Sequence, residues 1–123
     1  MTTIKNWKTQ EIIYTSDKET IKEAVQEAVE KDIDLSYADL SHANLSGINL
    51  AGSNLTQATL YEANLAGTKL QNSNLSGTDL YRAVLYNVVL SGANLSGAFL
   101  SATDLFGATI DEDVDLRKLL NIK

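Results

Sequence analysis

The sequence predicts an all-β solenoid, and three regularities with a period of five residues support this prediction. Leucine occupies every fifth position from 35 to 105 and Ile110 continues the series, which gives sixteen consecutive units. The residue two before each leucine is usually Ala, Ser or Thr, and all seven glycines lie two residues after a leucine. Neither the helical period of about 3.6 residues nor the two-residue period of a strand places every fifth side chain on one side. The chain must therefore turn a corner once per unit.

The position two residues after each leucine predicts the kind of turn. Besides the glycines, Asn72 and Asn87 occupy this position. Gly and Asn tolerate a positive φ, which a type II turn requires at its third residue. One residue before the leucine, ten of the sixteen units carry Asn or Asp. The pattern therefore predicts one type II turn per unit, preceded by an outward polar residue.

Units such as ADLSH, ANLSG, SNLSG and TDLYR resemble the pentapeptide-repeat family, whose pattern is A(D/N)LXX, over residues 33–112. The resemblance implies a right-handed quadrilateral β-helix in which four units form one square coil of twenty residues. It also implies that the leucine and the small residue two before it point inward, and that the other three positions point outward. Sixteen units then make about four coils.

The two ends of the chain depart from the repeat and predict caps. In residues 1–32, Ile4 and Trp7 and then residues 11–14 flank a KTQ turn as a short hairpin. An amphipathic helix is predicted at about 18–31, with Ser16 in a capping box or Asp17 as the alternative N-cap. Residues 113–123 are predicted to be a short C-terminal capping helix. Its candidate contacts to the last coil, or to a second copy, are Val114, Leu116, Leu119 and Leu120.

Composition and charge narrow the functional classes. The net charge of −6 argues against direct nucleic-acid binding, which needs clustered Lys and Arg. There are no cysteines, no apolar run approaches the roughly 20 residues of a membrane span, and no signal peptide is evident. A cytoplasmic protein is therefore expected.

Residues with catalytic chemistry are few and poorly placed. Asp39, Ser41 and the sole histidine, His42, share one surface unit, and such close neighbours do not form a triad. Asp79 lies two coils from Asp39, roughly 10 Å away, with Thr59 between them. We expect no catalytic residue, cofactor or metal.

Alignment of the coils twenty residues apart predicts what stacks on the outside. Glu62 and Arg82 should be stacked neighbours that pair. The column of Asp34, Asn54, Asn74 and Asn94 is expected to form an amide ladder between coils. Seven large apolar side chains share outward positions, mostly in the later coils: Tyr61, Tyr81, Val84, Tyr86, Val89, Phe99 and Phe106.

These outward apolar residues have two interpretations. Aromatic stacking between coils can be structural. A cluster of this size also suggests a protein–protein surface, most simply one for self-association as a homodimer. The dimer could form laterally or end to end. We therefore predict a non-enzymatic structural or protein-interaction module that self-associates.

The resemblance also raises an alternative function. Some pentapeptide-repeat proteins are acidic rods that mimic DNA and act on type II topoisomerases, which confers quinolone resistance. Residues 33–112 carry seven acids and two bases, a net charge of −5. Duplex DNA as long as four coils, roughly 19 Å, would carry about 11 charges. The lower charge density makes this alternative weaker.

Overall fold

The computed structural model describes residues 1–115 as a small N-terminal unit followed by stacked square coils. Strands β1 (Thr2–Lys5) and β2 (Ile12–Ser16) form an antiparallel hairpin, and helix α1 spans Ile21–Glu30. We number the coils one to four over residues 33–52, 53–72, 73–92 and 93–112. The strand β1 ends before Trp7, so Trp7 lies in the connection rather than in the hairpin strand.

Main-chain pairing confirms a coil of twenty residues. In the described chain, eleven parallel pairings each join residues twenty apart, such as Asn54 with Asn74 and Asn74 with Asn94. The Leu55 N–H donates to the Asn74 carbonyl at 2.9 Å, and the Asn74 N–H donates to the Ser53 carbonyl at 2.9 Å. Each side of a coil therefore contributes a very short strand to a parallel sheet that runs along the solenoid axis.

The corner turns follow the predicted register. Every fifth residue from 32 to 107 has a positive φ, as the third residue of a type II turn requires. The turn closes with a hydrogen bond such as that from the Ala58 N–H to the Leu55 carbonyl, at 2.9 Å. Nine of these sixteen residues are not glycine, and they include Tyr37 and Arg82. Because bulky residues also adopt this conformation, coil closure rather than local preference imposes it.

The interior is a stack of leucines. The leucines at every fifth position from 35 to 100 are buried, whereas Leu105 and Ile110 in coil four are half-buried. Inward hydroxyl groups are satisfied by main-chain carbonyls, since Ser73 Oγ donates to the Leu70 carbonyl at 2.6 Å and Thr68 Oγ1 donates to the Leu45 carbonyl of the preceding coil at 2.7 Å. Small polar residues can therefore face the core without an unpaired group.

The N-terminal unit covers the apolar end of coil one. Ile4 of β1 and Ala24, Val25 and Ala28 of α1 are buried. The unit also caps the exposed edge of the sheet, since the Asp39 N–H donates to the Lys5 carbonyl at 2.7 Å.

A side chain of α1 replaces the missing coil at a second point of this edge. Gln26 Oε1 accepts from the Asn49 N–H at 3.0 Å, and Gln26 Nε2 donates to the Asn49 carbonyl at 3.1 Å. The amide thus makes both bonds that a neighbouring strand would make, which satisfies an edge that would otherwise be open.

The start of α1 corrects the predicted cap. The helix begins at Ile21 with Thr20 as N-cap, and the Thr20 hydroxyl oxygen accepts from the Glu23 N–H at 3.1 Å. The prediction of Ser16 or Asp17 as the cap is wrong, because Ser16 ends β2 and its Oγ accepts from the Lys18 N–H. The hairpin thus uses the residues that the sequence pattern assigned to the helix start.

The predicted C-terminal helix falls largely outside the described residues, as do Leu116, Leu119 and Leu120. Val114 is half-buried and packs against the core. It lines a cleft of about 490 Å³ between the coil-four segment 93–99 and residues 111–115. The Asp111 carboxylate accepts from the Gly92 N–H at 2.8 Å and holds this segment against coil three.

The expected amide ladder between coils is wrong. Asn54 Oδ1 accepts from the Thr56 N–H at 3.1 Å, and Asn74 Oδ1 accepts from the Ser76 N–H at 3.1 Å. Among residues 1–115, no hydrogen bond joins one amide of this column to the next. Each Asn instead closes an Asx turn within its own unit, which competes successfully with bonding along the axis.

Candidate interaction surface

The apolar outward residues lie on adjacent sides of the solenoid. Side two is centred on Leu40, Leu60, Leu80 and Leu100, and side three on Leu45, Leu65, Leu85 and Leu105. Side four is centred on Leu50, Leu70, Leu90 and Ile110. Side one, centred on Leu35, Leu55, Leu75 and Leu95, carries the Asn column.

Side two carries an aromatic column. The ring centroids of Tyr61 and Tyr81 are 5.8 Å apart in a stacked arrangement, and those of Tyr81 and Phe99 are also 5.8 Å apart. His42 meets the edge of Tyr61 at 5.5 Å. Tyr61 and Tyr81 are half-buried, while Phe99 is 44% exposed. The two tyrosines therefore stabilise the stacking of the coils, and Phe99 ends the column at the cleft that faces residues 111–115.

Charged side chains run along the corner beside this column. Glu62 lies 3.6 Å from the Arg82 guanidinium, as the stacking of the coils predicted, and 3.4 Å from His42 Nδ1. The Arg82 guanidinium lies 5.6 Å from the centroid of the Tyr81 ring. An exposed ion pair contributes only about 0–1 kcal/mol. Arg82 also covers part of the Tyr81 ring.

Side three carries three exposed apolar residues, Val84, Tyr86 and Phe106. The Tyr86 and Phe106 rings stack with their centroids 5.9 Å apart. Val84 is 38% exposed, Tyr86 43% and Phe106 74%. Val89, on side four, is half-buried. We define the lateral patch as the three exposed residues of side three together with Phe99 of the adjacent side two: Val84, Tyr86, Phe99 and Phe106.

The other half of side three carries small outward residues. In coils one and two, the positions beneath the aromatic pair hold Ser46 and Ala66, and the turn positions hold Gly47 and Gly67. Helix α1 places Lys22 at this end, where Lys22 Nζ donates to Ser46 Oγ at 3.1 Å. The alignment of coils twenty residues apart shows these small residues, but the sequence pattern predicted no role for them.

The residues with catalytic chemistry are paired with other groups. Ser41 Oγ donates to the Asp39 carboxylate at 2.6 Å, and the near neighbour of His42 is Glu62. Across residues 1–115, no group of three or more His, Cys, Asp or Glu side chains has the geometry to hold a metal ion. The one helix of this part of the chain is too short to cross a membrane.

These observations define a β-solenoid of four-sided coils, capped at its N-terminal end and bearing an apolar patch on its lateral surface. The family model that describes eight copies of the pentapeptide repeat matches residues 33–72, 60–97 and 83–112. The chain belongs to the pentapeptide-repeat family, and its fold is the right-handed quadrilateral β-helix. No curated protein sequence matches the chain significantly.

Three solved structures illustrate the similarity. HetL, a pentapeptide repeat protein involved in heterocyst differentiation regulation in Nostoc sp. strain PCC 7120, is 37% identical, with a TM-score of 0.64. The match covers 68% of this chain and 38% of HetL, so the chain spans well under half of HetL's length.

A pentapeptide repeat protein of the Arabidopsis thaliana thylakoid lumen is 32% identical over 68% of each chain, with a TM-score of 0.51. QnrB1, a plasmid-mediated fluoroquinolone resistance protein, is 23% identical over 56% of this chain and 37% of its own, with a TM-score of 0.34. That last similarity is too low to carry a functional argument. Since the fold also occurs in a thylakoid lumen, cytoplasmic location stays a prediction.

Proposed function

We propose that this protein is a non-enzymatic protein-interaction module that self-associates through the lateral patch. The observation that supports the proposal is the exposure of Val84, Tyr86, Phe99 and Phe106 on two adjacent sides, each between 38% and 74% exposed. Two of them, Val84 and Phe99, stand at positions where the repeat favours Asn or Asp. The coil stack does not need these apolar side chains, because the polar residues at the same position in other units build the same coil.

Burial of the lateral patch against a partner would be energetically favourable. Burial of a large apolar side chain contributes roughly 1.5–3 kcal/mol relative to exposure. Contiguous apolar patches on monomeric proteins are commonly interaction sites. A second copy of the same chain is the simplest partner, since two-fold dimers are the commonest oligomers.

The paired states of Ser41 and His42 support the non-enzymatic part of the proposal. The Ser41 hydroxyl donates to Asp39 rather than to the imidazole, so this unit holds no activated nucleophile. The regulatory role stated for HetL is also compatible with binding rather than catalysis.

Light scattering on a charged double variant tests the proposal. Val84→Asp with Phe99→Asp puts two carboxylates into the patch and should convert a dimer to a monomer. The matched control is Asn94→Asp with Ser96→Asp, which adds the same charge to side one and should leave the mass unchanged. An unchanged mass for the patch variant would exclude the lateral surface.

End-to-end association predicts a different result. Deletion of residues 113–123 should then abolish the dimer, while the patch variant should keep it. The same light-scattering measurement on both variants therefore separates the two modes of self-association.

A further inference from the structure

We infer that two copies pair through side three with their solenoid axes antiparallel. This inference rests on the proposed self-association and specifies its geometry. Tyr86 and Phe106 of one copy then pack on Ala66 and Ser46 of the second copy, and the same contacts recur by symmetry. One exposed surface thereby supplies both halves of an interface.

Shape complementarity is the first argument. Along the outward column of side three, coils one and two present Ser46 and Ala66, whereas coils three and four present Tyr86 and Phe106. A two-fold axis parallel to the strands, between coils two and three, places coil one on coil four and coil two on coil three. Large side chains then meet small ones along the whole column, as close packing at an interface requires.

A dimer with parallel solenoid axes would pack poorly. In a parallel pair, Phe106 would meet Phe106 and Tyr86 would meet Tyr86. The aromatic rings would hold the two surfaces apart over Ser46 and Ala66, because those residues are too small to bridge the gap. Unfilled space of this kind loses the dispersion contacts that stabilise an interface.

Charge complementarity is the second argument. Asp104 is the one charged residue among the outward positions of side three in coils one to four, and it lies in coil four. Lys22 lies at the opposite end of the same side, held there by Ser46. Antiparallel pairing brings Asp104 to the end that carries Lys22 of the second copy. Parallel pairing about the aromatic column would leave Asp104 of both copies at the end far from Lys22, without this complementary charge.

Side two is a poorer candidate for self-pairing. Its aromatic rings Tyr61 and Tyr81 are already half-buried in their own column, and Asp39, Glu62, Asp79 and Arg82 lie among its outward residues. These charges would have to be desolvated on pairing. Phe99 therefore lies at the rim of the proposed interface rather than at its centre.

The area of side three limits the expected affinity of the dimer. Four coils span roughly 19 Å along the axis. Such a surface buries less than the roughly 1,200 Å² of a standard stable interface. We therefore expect a concentration-dependent dimer.

A size-swap experiment tests the packing. Ala66→Tyr should weaken dimerisation about tenfold or more, the equivalent of about 1.4 kcal/mol, because the new ring meets Tyr86 of the second copy. Combining it with Tyr86→Ala exchanges the large and small partners and should restore the dimer. The control Ser91→Tyr changes the equivalent position of side four and should have no effect. Sedimentation over a concentration series reports all three.

Cross-linking tests the relative orientation of the two copies. Because the chain has no cysteine, an introduced cysteine is the sole thiol that can react. In the antiparallel dimer, residue 44 of one copy faces residue 104 of the other. A short bismaleimide should therefore link a mixture of the Asn44→Cys and Asp104→Cys variants. Each variant alone should stay unlinked, because like residues lie three coils apart, roughly 14 Å.

The outcomes separate the two proposals. A dimer whose single-cysteine variants link to themselves would refute the antiparallel geometry and leave self-association standing. A dimer that tolerates Ala66→Tyr would exclude side three. A chain that stays monomeric throughout the concentration series would refute both the geometry and the self-association.

Discussion

Alanine substitutions at two glycines of the corner turns should destabilise the protein to different extents. The two glycines share the same backbone conformation but differ in what surrounds them. Gly47 and Gly92 have the same turn position and nearly the same φ, +74° and +72°. A Cβ at Gly47 would meet no atom within 4 Å, whereas a Cβ at Gly92 would collide with the side-chain oxygen of Asn72. Alanine at the two positions should therefore have different costs.

The magnitudes follow from the structure. The left-handed conformation costs a non-glycine residue about 1–2 kcal/mol, and replacing glycine lowers the entropy of the unfolded chain by about 0.4–1 kcal/mol. Gly47→Ala should then lower the free energy of unfolding by roughly 0.5–1 kcal/mol. Gly92→Ala must also displace Asn72, which adds about 1 kcal/mol, the low end for overpacking, since a side-chain amide can move.

Urea unfolding followed by circular dichroism measures the difference. With an m-value of about 1–3 kcal/mol/M, the extra cost should separate the midpoints of the two variants by roughly 0.3–1 M. Adding Asn72→Gly to Gly92→Ala should remove the collision and recover the extra cost as a coupling energy. Equal destabilisation by the two alanine substitutions, or a double variant without coupling, would refute this reasoning.

Three further predictions follow from the cap and from the alternative function. Gln26→Leu should lower the free energy of unfolding by about 0.5–1.5 kcal/mol, because it removes both hydrogen bonds to the exposed main chain of Asn49 and leaves only water in their place. Gln26→Glu should recover part of the loss, and equal urea midpoints for the wild type and Gln26→Leu would contradict this. The hydrogen bond from Tyr14 lowers the pKa of Glu27, so its stabilisation is present above the ordinary carboxyl pKa and is lost as pH falls through the lowered value. In Tyr14→Phe, an NMR titration should show the Glu27 midpoint shifted upward, and an unmoved midpoint would exclude this cause. A gyrase supercoiling assay tests the DNA-mimic alternative: inhibition would support it, and no effect at high protein excess would remove it.

The solenoid could be predicted because its determinants are local. Each five-residue unit carries its own inward leucine, its own small inward residue and its own turn, so the period is visible without knowledge of any contact. The structure confirms this where the main chain of Asn54 pairs with that of Asn74, twenty residues later. The stacked ion pair of Glu62 with Arg82 followed from the same period.

The helix cap and the Asn column were predicted wrongly because alternative hydrogen-bonding partners compete. Ser16 and Thr20 both fit an N-cap pattern, and the hairpin decides between them by including Ser16 in β2. The amide of Asn74 could bond along the axis or within its unit, and the turn N–H of Ser76 lies close by on the same chain. A short-range donor that costs little entropy wins over a ladder between coils.

The sequence by itself determined the interior of this protein, because the repeat specifies the inward residues one unit at a time. It also showed which outward positions depart from the polar pattern, among them Val84 and Phe99. Only the tertiary structure decided which of the outward side chains stay exposed to solvent. Stacking of coils half-buries Tyr81 beneath its neighbours and leaves Phe106 open, and docking of α1 brings Lys22 to the far end of side three. These relations join residues 18 or more positions apart, so they arise only when the coils and the cap come together in space.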